Sequence, residues 1–172
     1  MIESLQNLFT NPSYPSLHVV LIHFPIAFIC VAPFFDLGCL IIRDRVWLDR
    51  AATLLYVMGT IGAGAAYLAG ERAAKALSDL SPAAESALAD HESFATLTLI
   101  ALAIVSLVRL WVSWLSRDDR RISVGLFRLA AIPVALAGLA LLASTADRGG
   151  NLVYGHGLGV QTDHSESSIN EP

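Results

Sequence analysis

Five histidines are the residues best suited to chemistry in this chain. His18 and His23 stand near the start of a long apolar run. His91 sits in Ala-Asp90-His91-Glu92, and His156 in Gly149-Gly-Asn-Leu-Val-Tyr-Gly-His156-Gly-Leu-Gly-Val160. His164 lies in a polar tail and reads as a solvated residue. A neutral imidazole ligates haem iron, copper, zinc or nickel. The two cysteines, Cys30 and Cys39, lie in apolar sequence. Without Cys-x-x-Cys or Cys-x-x-Cys-His there is neither a c-type haem attachment nor a cysteine-rich zinc site. Gly-x-Ser-x-Gly, His-Glu-x-x-His and a phosphate loop are missing too, so no independent catalytic activity is expected.

The elements that must position these histidines are apolar helices. Of 172 residues, 55% are hydrophobic and 15% charged, against about 25% charged in a soluble domain. Mean hydropathy is +0.59. Four apolar stretches stand out, at about 17–42, 51–70, 94–116 and 129–146. A membrane-spanning helix needs about 20 apolar residues, and strands of this length would leave open edges in lipid. The expected fold is therefore all-α, a four-helix transmembrane bundle at 17–160, with a lead-in at 1–16 and a polar tail at 161–172. Residues 1–17 lack the basic segment and cleavage site of a secretory signal. Ser81-Pro82 reads as a helix start, with serine at the cap and proline in the first turn. Gly149-Gly150 reads as the end of the fourth helix.

Lysine and arginine set the expected orientation. Arg43, Arg45, Arg50, Arg117, Arg120, Arg121 and Arg128 fall in two connections on one side, while Arg72, Lys75 and Arg148 fall on the other. Seven against three places the first side in the cytoplasm, with both termini outside. Arg109 lies near the inner end of the third helix, where it is expected to snorkel beside Trp111 and Trp114. A net charge of −4 without a long basic stretch argues against nucleic acid as a partner. The lipid bilayer is the expected one.

This topology carries His18, His23, His91 and His156 to the outer mouth of one bundle, where cofactor sites are built from facing helices. Singly, each reads as an ordinary interface histidine. Four from three separate segments point to a site. His18 and His23 are five apart, about 140° and about 7.5 Å on a regular helix, which makes them poor joint ligands for one compact ion. Pro25 can kink these turns. Gly155 and Gly157, flanking His156, would let backbone pass close to a ligand, or form a tight capping loop. Gly59, Gly62, Ala63, Ala66 and Gly70 make a small-residue face on the second helix, read as helix packing. Asp36 inside the first helix is a functional suspect by default, or the partner of Arg109. No second acid is placed within the membrane.

Leu17-His18-Val-Val-Leu-Ile-His23-Phe24-Pro25-Ile26-Ala27, then Asp36, His91 and Gly149-Gly150-x-Leu152-Val153-Tyr154-x-His156-Gly157-x-Gly159-Val160, resemble the bacterial membrane family called domain of unknown function 2231. Val19 departs from its pattern, standing where a proline usually follows the first histidine. The resemblance covers all but about a dozen residues at each end. It implies a four-helix inner-membrane domain, whose relatives are found beside Rieske or cytochrome modules. The histidines and this resemblance together lead to the expectation of an electron-transfer subunit. It would bind one or two b-type haems through His18, His23, His91 and His156, with Gly155 and Gly157 close to the cofactor. A periplasmic electron carrier, a quinone or a larger redox complex would be its partner. Two other readings stand beside it. One is a membrane protein that binds or transports copper, zinc or another transition metal. The other is a cofactor-free structural subunit.

Overall fold

A computed structural model describes residues 16–42, 46–115 and 121–159. Residues 1–15 of the expected lead-in, Arg43, Arg45, Arg117, Arg120, Val160, His164 and the tail lie outside the described residues, while Ser16 already belongs to a helix. Every element among the described residues is helical: α1 (Ser16–Leu21), α2 (His23–Ile41), α3 (Val46–Lys75), α4 (Pro82–Leu115) and α5 (Arg121–Tyr154). Three helical segments, Leu17–Cys39, Val46–Lys75 and Pro82–Trp114, are long and apolar enough to cross a membrane. The fourth helix of the bundle is α5.

Cross-bundle contacts give the register. Tyr56 of α3 meets Asp36 of α2, Gly59 faces Ile29, and Gly62 faces Phe24 and Pro25. Between α3 and α4, Tyr67 pairs with Thr96 and Thr60 with Ser106. Between α4 and α5, Thr98 pairs with Thr145, and Leu102 touches the position of Gly138. Residue numbers rise on one helix as they fall on its neighbour, so α2, α3, α4 and α5 run antiparallel in turn. Contact between α2 and α5 closes the ring. Ile29, Ala32, Tyr56, Leu102, Val105 and Ala135 form the core inside it. Large apolar side chains also point outward. Phe34 is 72% exposed and Leu107 66%, a surface suited to lipid and not to water.

Four local features depart from or refine the expectations. The first span breaks at Ile22, because Pro25 has no N–H for the Leu21 carbonyl. The second helix is longer than 51–70 at both ends. Alanines and the Glu71–Lys75 pair, one turn apart at 2.7 Å, continue it to Lys75. At Pro82 the expected start is found: Ser81 Oγ accepts from the Ala84 amide at 3.2 Å. Gly149-Gly150 does not end the last helix, which runs on to Tyr154. The stop comes later. Leu158 N donates to the Leu152 carbonyl at 3.0 Å, while Gly157 takes a φ of 66° that suits glycine.

The glycine face of α3 is a packing face, as its spacing suggests. A methyl group on Gly59 would lie 2.6 Å from Ile29 Cδ1, and one on Gly62 would lie 3.1 Å from Pro25 Cδ. Close approach of α2 to α3 therefore depends on these positions having no side chain.

Candidate functional site

Two of the expected histidines face each other at one end of the bundle. His18 projects from α1 and donates from Nδ1 to the Ala66 carbonyl of α3, at 2.8 Å. His91 projects from α4 and donates from Nδ1 to the Thr145 carbonyl of α5, at 3.1 Å. Each neutral ring then carries its proton on Nδ1 and keeps the Nε2 lone pair for a ligand. Their ring centres are 6.4 Å apart, with the planes at 87°. A backbone carbonyl on the far nitrogen is also how proteins orient imidazoles that bind metals.

His23 and His156 go elsewhere. His23 is exposed and donates from Nδ1 to the Val19 carbonyl one turn back, at 2.7 Å. His156 is half-buried in the turn after α5 and does not line the cavity at this end. Gly155 and Gly157 shape that turn, and Gly159 reaches the cavity wall. Among the described residues, no group of three or more His, Cys, Asp and Glu side chains could hold a metal ion.

The cavity occupies about 350 Å³. His18 and His91 line it together with Tyr67, Glu71 and Glu92. Its apolar wall includes Ala73, Ala74, Leu77, Leu88, Ala95, Leu152, Val153 and Leu158. Two glycines let the rings fit. A methyl group on Gly70 would stand 2.9 Å from His18 Nδ1, and one on Gly149 would stand 3.2 Å from His91 Cε1. Gly149 therefore serves the imidazole of the facing helix, which explains a glycine inside α5. Gly70→Ala is expected to push His18 off the Ala66 carbonyl and to cost about 1–3 kcal/mol. Gly150→Ala, which meets nothing within 4 Å, is expected to be neutral or stabilising. Thermal unfolding in detergent measures both, and equal melting temperatures for the two variants would contradict this packing.

A family model described as a predicted membrane protein (DUF2231) matches residues 15–162. The chain belongs to this family. No curated protein and no solved structure matches it significantly. The DUF2231 match spans both histidines, both histidine-facing glycines and the polar cluster at the opposite end of the bundle.

That second cluster is buried in this DUF2231 chain. Arg109 of α4, 2% exposed, lies 2.6 Å from Asp36 Oδ1 and 3.4 Å from Asp49 Oδ1. Tyr56 donates to Asp36 Oδ2 at 2.9 Å, and the Arg109 guanidinium lies 5.8 Å from the Tyr56 ring centre. The expected pairing of Asp36 with Arg109 is present. Snorkelling of Arg109 is not, because two carboxylates draw it inward. Asp49 corrects the expectation of a single embedded acid. Extending α3 down to Val46 turns an apparent loop residue into a buried helical one, 5% exposed. This cluster joins α2, α3 and α4 through opposite charges.

Proposed function

We propose that this chain is an electron-transfer subunit that holds one non-covalent b-type haem between His18 and His91. The histidine pair carries this reading. Two imidazoles bound through Nε2 on opposite sides of one iron have ring centres about 6 Å apart, from metal–nitrogen bonds of about 2 Å and a ring radius of about 1 Å. The observed separation of 6.4 Å fits. A bare zinc or copper ion commonly takes three or four protein ligands, whereas haem brings four nitrogens of its own and needs two more. The apolar wall of alanine, leucine and valine suits a flat, greasy ring. When bound, haem would supply a one-electron couple, and His18 and His91 together holding the iron would suit it to electron transfer.

The chain's own groups set the conditions. The Ala66 and Thr145 carbonyls hold both imidazoles in the Nδ1–H tautomer and fix their planes. Gly70 and Gly149 allow the rings to approach their neighbouring helices. Leu152 and Leu158 add to the apolar wall of the cavity.

We read the protein as one of a bacterial inner membrane, and the arginine count supports an orientation with the histidine end and both termini outside. A periplasmic electron carrier, a quinone or a larger redox complex would then meet the haem edge. A cysteine placed at position 118 is expected to resist an impermeant thiol reagent in intact cells, and labelling there would reverse the orientation. The cofactor is tested on protein purified in detergent from cells with ample haem. A Soret band that shifts reversibly on reduction, with haem extracted by acidic acetone, is the expected result. A flat spectrum on folded protein would overturn it and favour a metal or scaffold role, separated by elemental analysis.

A further inference from the structure

The two histidines reach their places by the same construction. Each donates to a carbonyl on the next helix, and a glycine that the ring abuts stands four residues after that carbonyl. These are Ala66 and Gly70 for His18, and Thr145 and Gly149 for His91. The likeness continues down the bundle. Ile29, eleven residues after His18, packs on the position of Gly59, and Leu102, eleven after His91, packs on that of Gly138. Gly59 in turn stands eleven residues before Gly70, and Gly138 eleven before Gly149. Ala32 and Val105 follow their histidines by fourteen residues, Asp36 and Arg109 by eighteen, and all four are buried. From His18 to Leu37 and from His91 to Leu110, buried, half-buried and exposed positions coincide at all but two places.

The hairpin of α1, α2 and α3 is thus repeated by α4 and α5. In the ring of helices α2 lies diagonal to α4 and α3 to α5, as a two-fold axis along the bundle requires. Equivalent residues meet across such an axis. His18 faces His91 at one end, with ring centres 6.4 Å apart, and Asp36 faces Arg109 at the other, at 2.6 Å. The opposite charges of that second pair make the hairpins complementary, because two copies of either one would bring like charges together. We infer that the chain is a tandem pair of one histidine-bearing hairpin, and that its ligand site is two equivalent half-sites on the axis. Such a site takes a ligand whose central atom is bound from two opposite sides, one by each hairpin. This rests on the haem reading and adds that neither histidine is the principal ligand.

The test uses the full-length protein in detergent and zinc protoporphyrin, whose metal takes one ligand beyond the ring nitrogens. His18→Gln and His91→Gln keep an N–H donor for the Ala66 and Thr145 carbonyls. Where the half-sites are equivalent, either remaining histidine serves the zinc. Each single variant is expected to bind about twofold more weakly than the wild type, the statistical loss of one of two sites, and the double variant more than about tenfold more weakly. Thermal unfolding checks the fold of each. In wild-type protein carrying isotope-labelled histidine, the nuclear resonances of both rings are expected to shift to similar extents on addition of the porphyrin, a readout that needs no variant. If one variant binds like the wild type while the other falls to the level of the double variant, or if only one ring shifts, equivalence is overturned while the haem site stands. A wild type that binds ferric haem but not the zinc compound would overturn it too, since no half-site would act alone. If the wild type binds neither, the haem reading falls and the shared site with it.

Discussion

Replacement of either His18 or His91 by alanine is expected to abolish the low-spin haem spectrum, while His23→Ala and His156→Ala leave it intact. Loss of an outer hydrogen-bond partner alone commonly lowers metal affinity by about 10- to 100-fold. Removal of a direct ligand is expected to exceed the upper end of that range. The two sensitive positions lie on different helices, α1 and α4, and meet only through the fold. His23 is turned back on Val19, and His156 is off the cavity wall. The variants also carry a positive signature. With one imidazole removed, an iron held by the other would have an open position, so the reduced variants are expected to gain carbon monoxide binding that is not expected of the wild type. Haem content and carbon monoxide difference spectra measure the four variants side by side. Equal loss in His23→Ala or His156→Ala would contradict the assignment.

The second large effect belongs to the opposite end of the bundle. Arg109→Leu is expected to destabilise the protein by about 3–5 kcal/mol, because it leaves two buried carboxylates without the cation they face. Asp36 lies 2.6 Å from that cation and Asp49 3.4 Å, and both are almost fully buried. Tyr56→Phe removes only one hydrogen bond to Asp36, and is expected to cost about 1.5–3 kcal/mol. A chain with Asp36→Asn and Asp49→Asn added to Arg109→Leu is expected to recover part of the loss, since the uncompensated charge is gone. Yield in the membrane and unfolding temperature in detergent read this order. An Arg109→Leu protein as stable as the wild type would show that the cluster is not a structural tie.

The spans were legible because lipid imposes a length of about 20 apolar residues, and a stretch such as 51–70 meets it without a single charge. The cap at Ser81 was legible from its serine–proline pair, and the tie between Asp36 and Arg109 from two isolated charges at similar depth. Other features depended on information beyond local pattern. Asp49 sits among arginines in sequence, and only the extension of α3 to Val46 makes it a buried partner. Tyr56 looks like any aromatic residue of an apolar helix until its hydroxyl reaches Asp36. Gly149-Gly150 carries the mark of a helix end, yet Gly149 answers to a ring on another helix. Counting membrane faces brings four histidines to one end. Helix phase, altered by the break at Ile22, decides that two of them meet.

The most direct measurement of the central claim is a low-temperature electron paramagnetic resonance spectrum of the oxidised, haem-loaded protein. The His18 and His91 planes stand at 87°, and each ring is pinned by its own backbone carbonyl. Perpendicular imidazoles act on two different iron d orbitals about equally and leave them nearly degenerate. The predicted result is a strongly anisotropic low-spin signal dominated by a single low-field feature, at one haem per chain. A high-spin spectrum would mean that at least one histidine is not a ligand. A three-line rhombic low-spin spectrum would mean parallel ligand planes, and would contradict His18 and His91 as the pair held in this geometry.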